Sequence, residues 1–176
     1  EVITRLLASD QPIDFQGEFF RLKEGILLPR PRRPGGPPIL IGGNGLRYTL
    51  PLVARYASVW NALFVPPGEF ARLNTRLDEL LEKNGRQPRE VARTLMTGCV
   101  FGQDEAGVKR ILEARGWEPD ALRRRGVVVG TASEVVDRLG RLAETGVERV
   151  MLQWLDLDDL DGLEALAESA LPQLKN

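Results

Sequence analysis

Beyond residue 39 the chain alternates short apolar runs with stretches whose apolar residues recur every three or four positions. Ile39-Leu40-Ile41 is a continuous apolar run ending in Gly42-Gly43, the pattern of a strand buried on both faces. Leu46, Leu50, Val53, Ala54 and Ala57 then fall on one helical stripe, and Ser58–Ala62 reads as a second short strand. Glu69–Lys83 is the clearest helix, with Phe70, Leu73, Leu77, Leu80 and Leu81 at helical spacing and Asn84-Gly85 as its stop. Thr94–Phe101 is the third strand. Asp104 caps a helix that runs to Gly116, and Glu118–Arg125 is a further short one. Val127-Val128-Val129-Gly130 leads into a capping box of Thr131 and Glu134, opening a helix that carries Val135, Val136, Leu139, Leu142 and Ala143 and ends at Gly146. Glu148–Leu155 is the fourth strand, and Leu160, Leu163, Leu166, Ala170 and Leu171 stripe a final helix.

Four strand–helix repeats predict an α/β fold with a parallel sheet and right-handed crossovers. Four units are half of an eight-stranded barrel or a small open sheet, and periodicity does not separate the two. The 176 residues fall short of the roughly 250 of a complete (β/α)8 barrel, so a barrel reading needs four earlier strands. Residues 1–38 add a helical tail, an antiparallel hairpin with aromatic residues flanking a Gly17-Glu18 turn, and the proline-rich loop PRPRRPGGPP at 29–38. A tail and a hairpin are too little for an independent core, so residues 1–176 are expected to form a single domain.

Composition narrows the chemistry. The chain is 43% apolar and 28% charged with net charge −1, and no stretch approaches the roughly 20 apolar residues of a membrane helix, so a cytoplasmic protein with no membrane or nucleic-acid partner is expected. There is no histidine and one cysteine, Cys99. Histidine-based nucleophile systems, imidazole acid/base chemistry and multi-thiolate metal sites are thereby excluded within this chain. The acidic run Asp156, Asp158, Asp159 and Asp161 lacks the spacing of a calcium loop and is better suited to capping the final helix, so no metal site is expected. The chain opens on Glu1, and its methionines are Met96 and Met151, which points to part of a longer gene product.

The segment ILIGGNGLRYTL, residues 39–50, carries the sharpest chemical signal. A strand ends in Gly42, Gly43 and Gly45 and a helix follows, an arrangement that brings backbone N–H groups and the positive end of a helix to a ligand such as phosphate. The spacing is neither a nucleotide P-loop nor G-x-G-x-x-G, and a tight turn with no ligand satisfies the same residues. Arg47 in the first turn is placed to pair with a phosphate. Pro51 implies that the helix starts late or kinks. Trp60 and Asn61 end the second strand, and Gln153 and Trp154 the fourth, at the face where a barrel binds its substrate. The arginine clusters at 30–33 and 123–125 read as solvated surface, and Cys99 as core.

Taken in order, GEFFRL, the proline-rich loop, PPILIGGNG, LVARYASVWNA, NGRQP and VVVGTASEVVDRLGRLAETGVERVMLQW resemble the luciferase-like monooxygenase superfamily, and within it the branch that uses the deazaflavin coenzyme F420. The resemblance covers about residues 12–174 and corresponds to the C-terminal half of a family member. It implies a (β/α)8 barrel of which residues 39–176 supply strands 5 to 8 with their helices, preceded by the small β-hairpin. It places a cofactor, F420 or alternatively FMN, against Ile41, Gly42, Gly43, Asn44, Gly45 and Arg47, with Trp60, Asn61, Gln153 and Trp154 around a small organic substrate. The catalytic acid and base would lie in the absent first strands and are not assigned here. Such a chain would pair with its missing N-terminal half or form a homo-oligomer. The other readings are a non-catalytic half-barrel that dimerises through its open sheet edges, and an unrelated phosphate-binding α/β protein.

Overall fold

The computed structural model describes residues 1–174, and its backbone packing divides the chain into two compact units, Glu1–Ile39 and the segment from Leu40 onward. In the first unit α1 (Val2–Ala8) precedes β1 (Ile13–Gln16) and β2 (Arg21–Gly25), which pair antiparallel with Phe15 opposite Leu22. The proline-rich loop is tied back by Arg30, whose guanidinium donates to the carbonyls of Leu6 and Leu7 at 2.8 and 3.0 Å and pairs with Asp10 at 2.9 Å. Arg30 therefore serves this loop, and is not the solvated side chain that its neighbours Arg32 and Arg33 made it resemble.

The second unit runs β3 (Leu40–Gly42), α2 (Thr49–Tyr56), β4 (Val59–Leu63), α3 (Pro67–Lys83), β5 (Ala92–Phe101), α4 (Glu105–Arg115), α5 (Pro119–Arg124), β6 (Val128–Gly130), α6 (Ala132–Glu144), β7 (Arg149–Gln153) and α7 (Leu160–Ala170). All pairings are parallel: β3 lies beside β4, β4 beside β5, and β7 beside β5, while β6 takes up the last residues of β5. The predicted parallel α/β alternation is present. β6 is an additional strand, and three residues are too few to print a period of two in a sequence.

Local chemistry sets the helix ends. The Asp104 carboxylate accepts from the Gly107 N–H at 2.7 Å, and Asp159 from the Gly162 N–H at 2.9 Å, so the acidic run before α7 includes its cap. Glu134 accepts from the Thr131 N–H at 2.8 Å, one half of the expected capping box. Gly116 closes α4 in the left-handed conformation, with φ of +61°. Pro51 falls in the first turn of α2, where a missing N–H costs no helical bond, and the helix starts late, at Thr49.

The strand register gives the sheet two unlike faces. Ile41, Trp60, Ala62, Leu95, Val150 and Leu152 lie on one of them and pack with Leu50, Val53, Phe70, Leu73, Leu77, Val135, Leu142 and Leu166 of the helices. Arg93 is buried beside this layer, its guanidinium shared between Asp78, Asn74 and the carbonyls of Pro88 and Val91. The other face presents Leu40, Asn61, Thr94, Met96 and Met151, and at its far end α4 packs Val108 and Leu112 against Val100 and Val129; Leu40 is 52% exposed. The continuous apolar run at 39–41 is thus not buried on both sides: Ile41 enters the core and Leu40 does not. Leu160, Leu163 and Leu171 of the final stripe are likewise exposed, and within that stripe Leu166 and Ala170 are the buried positions. Among the described residues no helix is long and apolar enough to cross a membrane.

Two outcomes follow from this packing. Phe70 is fully buried and stacks on Trp60 with ring centroids 5.1 Å apart, so Phe70→Ala should cost about 3–5 kcal/mol, seen as a lower urea midpoint. Cys99 packs against the core, and desolvation pushes its thiol up to about 12 from an ordinary value near 9. Iodoacetamide at pH 8 should therefore react about a thousandfold more slowly with the folded protein than with the unfolded chain. Because the folded thiol keeps its proton where the unfolded one loses it, this group subtracts stability as the pH rises from 9 towards 12.

Candidate functional site

The C-terminal end of β3 and the start of α2 are joined by six residues, Gly43–Tyr48, held against the end of β4. The Gly43 N–H donates to the Asn61 carbonyl at 2.9 Å, and the Trp60 indole N–H donates to the Gly43 carbonyl at 2.9 Å. Asn44 adds two bonds through its side-chain amide, donating to the Leu63 carbonyl at 2.7 Å and accepting from the Leu63 N–H at 2.9 Å. Gly43 has φ of +122°, a conformation open to glycine, and a Cβ there would stand 3.3 Å from Thr49 Cγ2. A Cβ on Gly45 would meet Thr49 Oγ1 at 2.9 Å. The turn is thus narrow, glycine-dependent and fixed from one side.

What remains free is its row of donors. The backbone N–H groups of Asn44, Gly45, Leu46 and Arg47 donate to no backbone or side-chain acceptor among the described residues. α2 starts without a side-chain cap and has no acidic residue in its first turn. Four unpaired N–H groups beside the positive end of a helix make a seat for an anion. Arg47 is exposed, with its guanidinium 5.0 Å over the Tyr48 ring.

Asn61, expected to end its strand, lies at the centre of β4, faces away from the main helical layer and is 8% exposed; Thr94 Oγ1 lies 2.9 Å from its Oδ1 and 3.0 Å from the Trp60 carbonyl. The Asn61 amide N–H2 donates to no acceptor among the described residues. Gln153 shares that face, its Nε2 3.6 Å from the Met96 sulfur. The two tryptophans expected beside them lie elsewhere. Trp60 is fully buried on the helix side, stacked on Phe70, and Trp154 packs against the same core while its indole N–H donates to the Asp159 carbonyl at 3.2 Å. In a pleated strand adjacent residues point to opposite faces, so Trp60 and Asn61 cannot both line one pocket. Thr94 and Met96 were legible only through register: residues two apart on β5 share the Asn61 face once β4 and β5 are aligned.

A family model described as luciferase-like monooxygenase matches residues 1–117. Comparison with curated proteins finds no match. Among solved structures, an F420-dependent secondary alcohol dehydrogenase in complex with an F420-acetone adduct superposes with a TM-score of 0.82 at 17% identity, over 99% of this chain and 59% of that one. A coenzyme F420 dependent tetrahydromethanopterin reductase from Methanopyrus kandleri superposes at 0.77 and 17% identity, over 99% and 61%. The monooxygenase RslO1 from Streptomyces bottropensis gives 0.71 and 18%, over 96% and 58%. At such identities the likeness is one of fold, and the chain spans about three-fifths of the length of these structures.

The turn can be tested apart from any ligand. Asn44→Ala removes both bonds to Leu63 and leaves a partly buried N–H and carbonyl unpaired, which should lower stability by about 1–3 kcal/mol in urea denaturation and speed hydrogen exchange at Leu63.

Proposed function

The chain belongs to the luciferase-like monooxygenase family, and from that premise we propose that it is the C-terminal part of an oxidoreductase passing hydride between coenzyme F420, with FMN as the alternative, and a small organic substrate. In this reading β3, β4, β5 and β7 are the last four strands of a (β/α)8 barrel, with the cofactor at their C-terminal ends. The observation that carries it is the stapled glycine turn with four unused N–H donors at an uncapped helix start.

Those donors fit the phosphate group that both cofactors carry. Asn44, Gly45, Leu46 and Arg47 would hold it through their backbone N–H groups, with Gly42 and Gly43 allowing the close approach, Ile41 anchoring the strand beneath and the Arg47 guanidinium adding a charged partner. The bound ring system would supply the hydride chemistry, and the protein's part is position and polarity. The Asn61 amide offers a fixed hydrogen-bond donor on the inner sheet face, and Gln153 an amide on the neighbouring edge of that face. Met96, Met151 and Leu40 would give the same face an apolar floor. Trp60 supports the turn from behind and does not touch substrate. The residues Asn61, Thr94, Met96 and Gln153 on the inner face include no carboxylate, so proton transfer falls to residues of the four preceding strand–helix units.

Fluorescence titration with F420 and with FMN tests this on the 176-residue chain and on the longer protein carrying those units. Binding of one cofactor to the longer protein is expected, weakened at least tenfold by Gly43→Asp, which puts a negative charge and a strained φ at the phosphate seat. Absence of binding of either cofactor to either form would sink the proposal.

A further inference from the structure

We propose that Thr94 is a positioning residue for the cofactor: its hydroxyl turns the Asn61 amide so that Nδ2 donates to a neutral oxygen of the cofactor beyond its phosphate. The inference rests on the reading that a phosphorylated cofactor sits on the glycine turn, and it adds a second point of attachment within the same site.

Asn61 joins the turn to the inner sheet face. Its carbonyl accepts from the Gly43 N–H at 2.9 Å, and it stands in register with Gly42 of β3 on one side and Thr94 of β5 on the other. Thr94 is 3% exposed, so the pair is held in a packed setting. Among the described residues the unpaired side-chain nitrogen sealed from solvent is Arg138 Nε. Asn61 Nδ2 has no acceptor either, yet it is not sealed, and it therefore opens on the inner face. A Cβ built on Gly42 would meet nothing nearer than the Asn61 carbonyl at 3.8 Å, so the space between the amide and β3 is clear. A ligand tethered by its phosphate at Asn44–Arg47 enters the inner face across Gly42 and passes this amide.

An amide has an acceptor at one end and two donors at the other, and a half-turn exchanges them. The Thr94 hydroxyl, within reach of both Asn61 Oδ1 and the Trp60 carbonyl, decides which end faces out. The β4–β5 ladder places the Ala92 N–H on the Ser58 carbonyl and the Phe64 N–H on the Met96 carbonyl, and the same parallel pattern gives the Trp60 carbonyl the Thr94 N–H. The hydroxyl proton is left for Oδ1. The carbonyl end of the amide is thereby held towards β5, and the N–H2 end is presented to the ligand. Gly42 and Thr94 beside it carry no charge, so the donor suits a neutral acceptor. F420 and FMN both carry such acceptors beyond the phosphate, as hydroxyls of the linking chain and carbonyls of the ring.

Fluorescence titration of the longer protein with F420 and with FMN tests this. Thr94→Val should weaken binding of the cofactor that the unaltered protein takes by about fivefold, the loss of one hydrogen bond, and Thr94→Ser should bind as the unaltered protein does. Asn61→Leu should lose about the same factor, and Asn61→Leu with Thr94→Val no more than either alone, because Thr94 acts through Asn61. Circular dichroism should be unchanged throughout. Losses that multiply in the double variant, a Thr94→Ser protein as weak as Thr94→Val, or either of Thr94→Val and Asn61→Leu binding like the unaltered protein would each overturn the proposal while leaving the cofactor reading intact. Absence of binding to the unaltered protein would instead remove that reading, and this inference with it.

Discussion

A parallel sheet has two faces to cover, and in this protein the main layer of helices covers one, while α4 reaches only the far end of the other, against Val100 and Val129. Everything else about the second unit follows from that asymmetry. On the helix side Trp60, Ala62, Leu95 and Val150 interdigitate with Phe70, Leu73, Leu77 and Val135, and this is the core that pays for ordering the backbone. On the other side Leu40 and Met151 stand in partial exposure beside the Asn61–Thr94 pair and the Gln153 amide. The same strands therefore do two jobs, with residues of one parity building the scaffold and residues of the other parity building a surface of mixed apolar and amide character. The chain spans about three-fifths of the length of its structural relatives.

The glycine turn shows how scaffold and site are coupled. Pro51 delays α2 to Thr49, which leaves Asn44–Arg47 outside the helix with their N–H groups unspent. A loop with that many free donors is held in place by its other atoms: the Gly43 carbonyl by Trp60, the Gly43 N–H by Asn61, the Asn44 side chain by both backbone groups of Leu63. The donors are thereby aimed without being used, which is the arrangement that binds an anion with little reorganisation. Asn44, whose type invites a direct role in binding, spends its amide on the scaffold, and only its backbone N–H remains for a ligand.

The amino-acid sequence by itself determined the elements whose signal is local. Helix α3 printed its stripe over about three turns, Asp104, Asp159 and Glu134 marked helix starts because capping involves residues three apart, and Gly42–Gly45 marked a turn because glycine is what such a turn requires. Tertiary structure alone decided which face each strand residue takes and what covers it. Leu40 and Ile41 are equally apolar, yet one is exposed and the other in the core. Trp60 and Asn61 are neighbours, yet one supports the turn and the other faces the open side, and Thr94 reaches Asn61 across 33 positions of chain. The physical reason is that capping and helical periodicity are written within one turn of backbone, whereas strand register and the coverage of a face are set by partners far away along the chain.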